Sequence, residues 1–139
     1  MIVTTYSEEL RTKGQDDCVD ITAAVQEALR RAKIRDGLAT VFVTGSTAAV
    51  TTIEHEPGLV RDLREAVRRL FPETLRYAHH EQAGDDNGFA HLRAAFIGPS
   101  LSVPIVDGKL QLGAWQQIVL IDFDTHPRTR SYLIQFLGD

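Results

Sequence analysis

The chain has 139 residues, 43% of them hydrophobic and 24% charged, with a net charge of −4. That length suits one domain with a real core. The acidic balance excludes the basic footprint of a nucleic-acid binder, and the lone Cys18 excludes an internal disulfide. No apolar run approaches the ~18 residues that span a bilayer, and the first residues lack the basic and apolar regions of a secretory signal. The expectation is a soluble, cytoplasmic protein with residues 1–139 forming one domain, without membrane or nucleic-acid partners.

In chain order, β-branched Ile2–Tyr6 reads as a strand. Cys18 lies among Asp16, Asp17 and Asp20, a negative field that raises a thiol pKa, so a structural role is expected. Asp20 offers an N-cap to a helix that places Ile21, Val25, Ala28, Leu29 and Ala32 on one face. Asp36-Gly37 turns the chain into the buried strand Leu38–Val43, and Gly45-Ser46-Thr47 leads to Ala48–Ile53, read as its partner strand.

Pro57 suits the first turn of a second helix. Leu59, Val60, Leu63, Ala66, Val67 and Leu70 form its apolar face, and Arg61, Arg64, Arg68 and Arg69 its polar one, read as solvated rather than as a polyanion site. Glu65 and Arg69 have the spacing of an ion pair. Residues 77–88 read as a loop, Phe89–Ile97 as a short helix stopped by Gly98-Pro99, and residues 101–112 as a hairpin about Asp107-Gly108. Pro104 puts its strand at an edge or bulge. Trp115–Phe123 and Tyr132–Leu137 complete the strands, with Trp115 expected in the core. Adjacent, hairpin-like strands predict an α+β fold with largely antiparallel sheet, two main helices and one short helix.

Chemistry concentrates in the loop and the helix after it, which carry His79, His80, Glu81, Asp85, Asp86, Asn87 and His91. Imidazoles ligate metals and shuttle protons near neutral pH, and carboxylates complete or orient such sites. Asn87 and His91 are four residues apart and could share the start of a helix. Spacing alone does not choose between a metal or active site and solvated loop residues. Arg128 and Arg130 could grip phosphate oxygens as guanidinium forks; on the residues alone, pairing with Asp122 or Asp124 is the stronger reading.

Taken in order, several segments resemble the YjbQ family. They are Asp20-Ile21-Thr22, Tyr77-Ala78-His79, Gly84-Asp85-Asp86-Asn87-Gly88 with His91-Leu92, Ile97-Gly98-Pro99-Ser100, Leu112-Gly113-Ala114-Trp115-Gln116 and Pro127-Arg128-Thr129-Arg130. The resemblance implies a compact α+β domain that assembles as a homotrimer and has weak thiamine-phosphate synthase activity. It also implies a divalent metal, Zn or Mg, facing His79 and His91. Asp86, Asn87 and His91 would then be the catalytic set, and Arg128 and Arg130 would hold the phosphate of a small phosphorylated metabolite. Glu54 matches a family glutamate.

The chain departs from the family at Gly45, where an imidazole is usual, which weakens the metal site, and at Ile53, where asparagine is usual. His80 or His55 could stand in for the missing imidazole. The alternatives to a weak or vestigial transferase are a metal-dependent hydrolase of a small phosphorylated compound and a non-catalytic small-molecule-binding module.

Overall fold

The computed structural model describes all 139 residues. The chain forms β1 (Ile2–Thr12), β2 (Asp17–Asp20), α1 (Thr22–Ala32), β3 (Gly37–Val43), β4 (Ala48–Ile53) and α2 (Pro57–Leu70). It continues with α3 (Ala78–Ala83), α4 (Gly88–Ile97), β5 (Ser100–Val106), β6 (Lys109–Leu110), β7 (Gln117–Asp122) and β8 (Arg128–Gly138). The strands make two antiparallel sheets, one in the order β1-β8-β3-β5-β6 and one in the order β2-β7-β4. The α+β class and antiparallel pairing agree with the sequence reading.

The three-stranded sheet is the middle layer. From β4 and β7, Ala48, Val50, Ile118 and Leu120 face one core, with α1 and the five-stranded sheet. The alternate residues Ala49, Val119, Ile121 and Phe123 face a second core under α4 and Val67 of α2. Burial on both faces explains the unbroken apolar run of β7, because a strand covered on one face alternates instead. The five-stranded sheet does alternate. Ala39, Val41, Ile134 and Phe136 point inward and are fully buried, while the register lines up Val3, Leu137, Leu38 and Pro104 in one outward row and Ser7, Leu133, Phe42 and Ser100 in another.

Several local readings need correction. β3 and β4 are not a hairpin: β3 pairs with β5 and β8, and β4 pairs with β7. The intervening turn switches the chain between sheets. Residues 78–83, expected as loop, are a short helix. Helix α1 begins at Thr22, with Ile21 as the cap residue, and Asp20 Oδ1 accepts from the Thr22 N–H at 2.9 Å. Trp115 sits in a turn before β7 and is 75% exposed, so it is not a core residue. Glu65 and Arg69 are exposed and make no hydrogen bond with each other; the arginine of this helix that does pair is Arg68, with Asp16.

Other local expectations hold. Pro57 opens α2, whose cap Glu56 accepts from the backbone N–H groups of Gly58 and Leu59. Pro104, by contrast, does not put its strand at an edge: β5 lies between β3 and the two-residue β6, and the proline is accommodated just past the end of the β5–β6 ladder, its carbonyl accepting from Gln111 N–H at 2.9 Å, where its own nitrogen owes no ladder bond.

Candidate active site

The site is built where the end of β7 meets the start of β8, the turn before β4 and the start of α4. β7 is apolar until Asp122, and Asp124 follows two residues later. Both are almost fully buried, as are Thr12, Thr47, Asn87 and Arg130. Buried charge must be paired and hydrogen-bonded, and here it is. Arg130 donates to Asp122 through Nε at 2.8 Å and Nη2 at 2.7 Å, a bidentate fork, and through Nη2 to Thr47 Oγ1 at 2.6 Å. The Thr12 hydroxyl donates to the same carboxylate. Thr47 donates in turn to Asp124 Oδ2 at 2.9 Å, and Arg128 Nη1 reaches that oxygen at 3.0 Å.

The network continues outward. Asn87 Nδ2 donates to Asp124 Oδ1 at 3.3 Å, and Asn87 Oδ1 lies 3.1 Å from His79 Nε2. With the amide oxygen turned to His79, that nitrogen is assigned as the N–H donor, and Asp85 Oδ2 lies 3.7 Å from it. The His91 ring, one turn into α4, stands 4.5 Å from the His79 ring between centroids. A chain of polar contacts thus runs from Thr12 through Asp122, Arg130, Thr47, Asp124 and Asn87 to the paired imidazoles.

The carboxylates at its inner end are ionised. Burial pushes Asp122 up, but the Arg130 guanidinium, the Thr12 hydroxyl and the Asp124 N–H outweigh it and hold the carboxyl below the usual range. Burial acts the same way on Asp124, and the Thr125 N–H, Thr47 hydroxyl, Asn87 amide and Arg128 hold it low.

Two hollows flank His91. One, of about 400 Å³, is lined by Gly45, Ser46, Ala48, Leu92, Ala95 and Pro99 among others. The other, of about 420 Å³, is lined by Tyr77, Ala78, His79, Gly88 and Leu92. Small residues dominate the first, with His91 its one imidazole, while the second has both imidazoles and the Tyr77 ring in its wall.

The structure therefore brings His79, Asn87 and His91 together. Asp86 stays exposed and offers its backbone N–H to Asp85, whose carboxylate takes the place beside His79 expected of Asp86. Arg128 and Arg130 both lie on carboxylates. Arg130 is 3% exposed, and only Arg128, with 42% of its side chain exposed, keeps an outward edge. Neither further histidine joins the pair: His80 Nε2 accepts from Gly88 N–H, and His55 Nε2 lies 3.0 Å from the carbonyl of Cys18. Glu54 is exposed at the far end of β4, and Ile53 packs against the second core. Sequence reasoning missed Thr12 and Thr47; an acidic residue closing an apolar strand was the available signal for Asp122.

As a resident metal site the donor set falls short. Zinc takes three or four protein ligands, and no group of three His, Cys, Asp or Glu side chains is arranged to hold an ion. A Cβ on Gly45 would stand 2.8 Å from Arg130 Nη1, so a guanidinium edge occupies the space where a third side chain would begin.

Comparison with known proteins agrees with this architecture. Residues 7–139 match the family described as UPF0047 protein YjbQ-like. A UPF0047 protein of Archaeoglobus fulgidus is 38% identical over 92% of this chain and 97% of its own length. UPF0047 protein YugU of Bacillus subtilis is 30% identical over 94% and 96%. Among solved structures, hypothetical protein APE1520 of Aeropyrum pernix superposes with a TM-score of 0.92 at 35% identity, covering 98% of this chain and 99% of that one. A YbjQ-like protein of unknown function from Sulfolobus solfataricus gives 0.90 at 31%, covering 99% and 100%. On the match across residues 7–139 and these full-length likenesses, the chain belongs to the YjbQ-like UPF0047 family.

Proposed function

We propose that the chain is a weak small-molecule transferase acting on a phosphorylated compound, with thiamine-phosphate synthesis the reaction to assay first, and that it works as a homotrimer. One observation carries the catalytic reading: His91, 4.5 Å from His79, is a wall of two hollows, and His79 lines one of them. A transferase must hold a donor and an acceptor on both sides of a proton-handling group, and this arrangement suits that task.

In this reading Asn87 and Asp85 fix His79 as an Nε2–H donor. His91 is the acid, giving a proton to the departing phosphate oxygen as the acceptor's nucleophilic atom bonds to the carbon that oxygen leaves. Arg128 steadies phosphate through its outward edge. Arg130 is a positioning residue, because its guanidinium is committed to Asp122 and Thr47. No step runs through a metal.

A second reading, a non-catalytic binding module, is favoured by the incomplete donor set at Gly45. Synthase assays on the native protein and on His91→Ala separate the two. Turnover in the native protein that falls at least about tenfold in His91→Ala supports the transferase. Stabilisation by a thiamine-pathway intermediate without turnover supports the module, by linkage. Phosphate release from a single compound with no acceptor present indicates a hydrolase.

A further inference from the structure

Away from the imidazole pair, on the face formed by the β1–β2 turn and helix α2, lies a hollow of about 340 Å³ with no hydrophobic lining. Its walls are Lys13, Gly14, Gln15, Asp17, Arg64 and Arg68. Arg64 and Arg68 are one turn apart on α2, and like charges at that spacing repel. The fold nevertheless aims both into one hollow and adds Lys13.

Arg68 is anchored. Its Nε donates to Asp16 Oδ2 at 2.9 Å, and Asp16 is itself held by the fully buried Arg93 at 2.9 Å. Arg93 in turn donates twice to the Phe71 carbonyl. Asp16 is therefore cancelled by Arg93, and Asp17, whose Oδ2 accepts from Lys13 N–H, is the one carboxylate left on the hollow wall. Two positive charges remain in excess, on a chain whose net charge is −4. Arg64 Nε is buried without a partner, and none of the Arg64 guanidinium N–H groups is used in a side-chain hydrogen bond, so its outer nitrogens are free to meet an acceptor in the hollow. Arg64 and Lys13 take part in none of the chain's ion pairs.

We infer that this hollow is an anion site for a phosphate dianion, either inorganic phosphate or the terminal group of a small phosphomonoester. A phosphate carries close to two negative charges at neutral pH and several strong acceptor oxygens, which matches the excess charge and the free guanidinium donors. The site is separate from His79 and His91 and does not depend on their chemistry. Its neighbour, a hollow of about 420 Å³ that shares Gln15 and Arg68 and is also lined by Thr74, Asp124 and Thr125, leaves room for the rest of an ester.

Calorimetric titration with inorganic phosphate and, separately, with glycerol phosphate tests this on the native chain and on Lys13→Ala, Arg64→Ala and Arg128→Ala. Thermal midpoints close to native confirm that the variants are folded. Saturable binding is expected in the native protein, weakened roughly tenfold or more in Lys13→Ala and Arg64→Ala, retained in Arg128→Ala, and reduced by added salt. Tighter binding of glycerol phosphate identifies an ester as the ligand, and equal affinity identifies free phosphate; both support the site. No saturable binding to the native protein overturns it. So does binding that survives Arg64→Ala and is lost in Arg128→Ala, which would put the anion beside the imidazole pair.

Discussion

Arg130 Nη1 occupies the space into which any side chain on Gly45 would grow, 2.8 Å from where its Cβ would stand. The same guanidinium is pinned through Nε and Nη2 to Asp122 and Thr47, so it cannot swing aside without breaking a buried fork. Gly45→Ala is therefore expected to destabilise the protein by about 1–3 kcal/mol, the usual cost of overpacking. Gly45→His, which restores an imidazole, should cost more and should not give a full equivalent of bound zinc. Denaturant unfolding and elemental analysis check both. A Gly45→His protein of native stability carrying one metal per chain would show that Arg130 yields.

The Asp122–Arg130 pair makes acid stability predictable. Asp122 and Asp124 have folded pKa values held below the ordinary carboxylate range. Such groups contribute stability that is fully present above the unfolded value, near 3.9, and is lost as pH falls through the folded value. The unfolding free energy should therefore be flat with respect to these two groups from pH 7 down to about 5, then fall steeply below about 4. Asp122→Asn leaves Arg130 buried with half its partnership gone and should cost about 3–5 kcal/mol at pH 7, with a shallower fall in acid. An unchanged acid limb in that variant would move the origin of the acid sensitivity elsewhere.

These residues also show what the sequence could and could not reveal. His79, Asn87 and His91 were legible because they lie within thirteen residues of one another in the chain. The period of two that puts Arg128 and Arg130 on one side of β8 was legible too, and both guanidiniums meet carboxylates from the end of β7. Thr12 and Thr47 were not. They reach Asp122 and Asp124 only through the β1–β8 and β4–β7 registers, which are long-range pairings with no local signature.

The same limit hid the separation of β3 from β4, since a short turn between two apolar runs looks alike whether the strands pair or part. β2 escaped notice because Asp17-Cys18-Val19-Asp20 is short and half acidic. α3 was missed because six residues with no buried side chain carry no apolar period.

Cys18 gives a simple check on the β2 environment. Burial, then Asp17, push its thiol up to about 11, with Arg64 opposing and Asp20 adding to the rise. The thiolate is the reactive form, so the native protein should resist iodoacetamide at pH 7.5 and react readily once unfolded. Arg64→Ala removes the opposing charge and should slow native alkylation further. Fast native labelling would contradict the half-buried acidic setting assigned to β2.

The outer face of the five-stranded sheet bears on the proposed trimer. Its rows place Val3, Leu137 and Leu38 together and Leu133 and Phe42 together, with the polar row Thr5, Gln135, Thr40 and Ser102 between them, and Leu38, Phe42 and Val3 are 38%, 40% and 60% exposed. Strand spacing and rise give this face an area of roughly 600 Å², close to the ~800 Å² that each partner buries in a stable interface. Light scattering after size exclusion should return the mass of three chains for the native protein, and Phe42→Glu, at the centre of one row, should lower it. The native chain running as a monomer at micromolar concentration would sink the trimer. A Phe42→Glu protein that stays trimeric would move the interface off this face, leaving β1, the free edge of the same sheet, as the next surface to mutate.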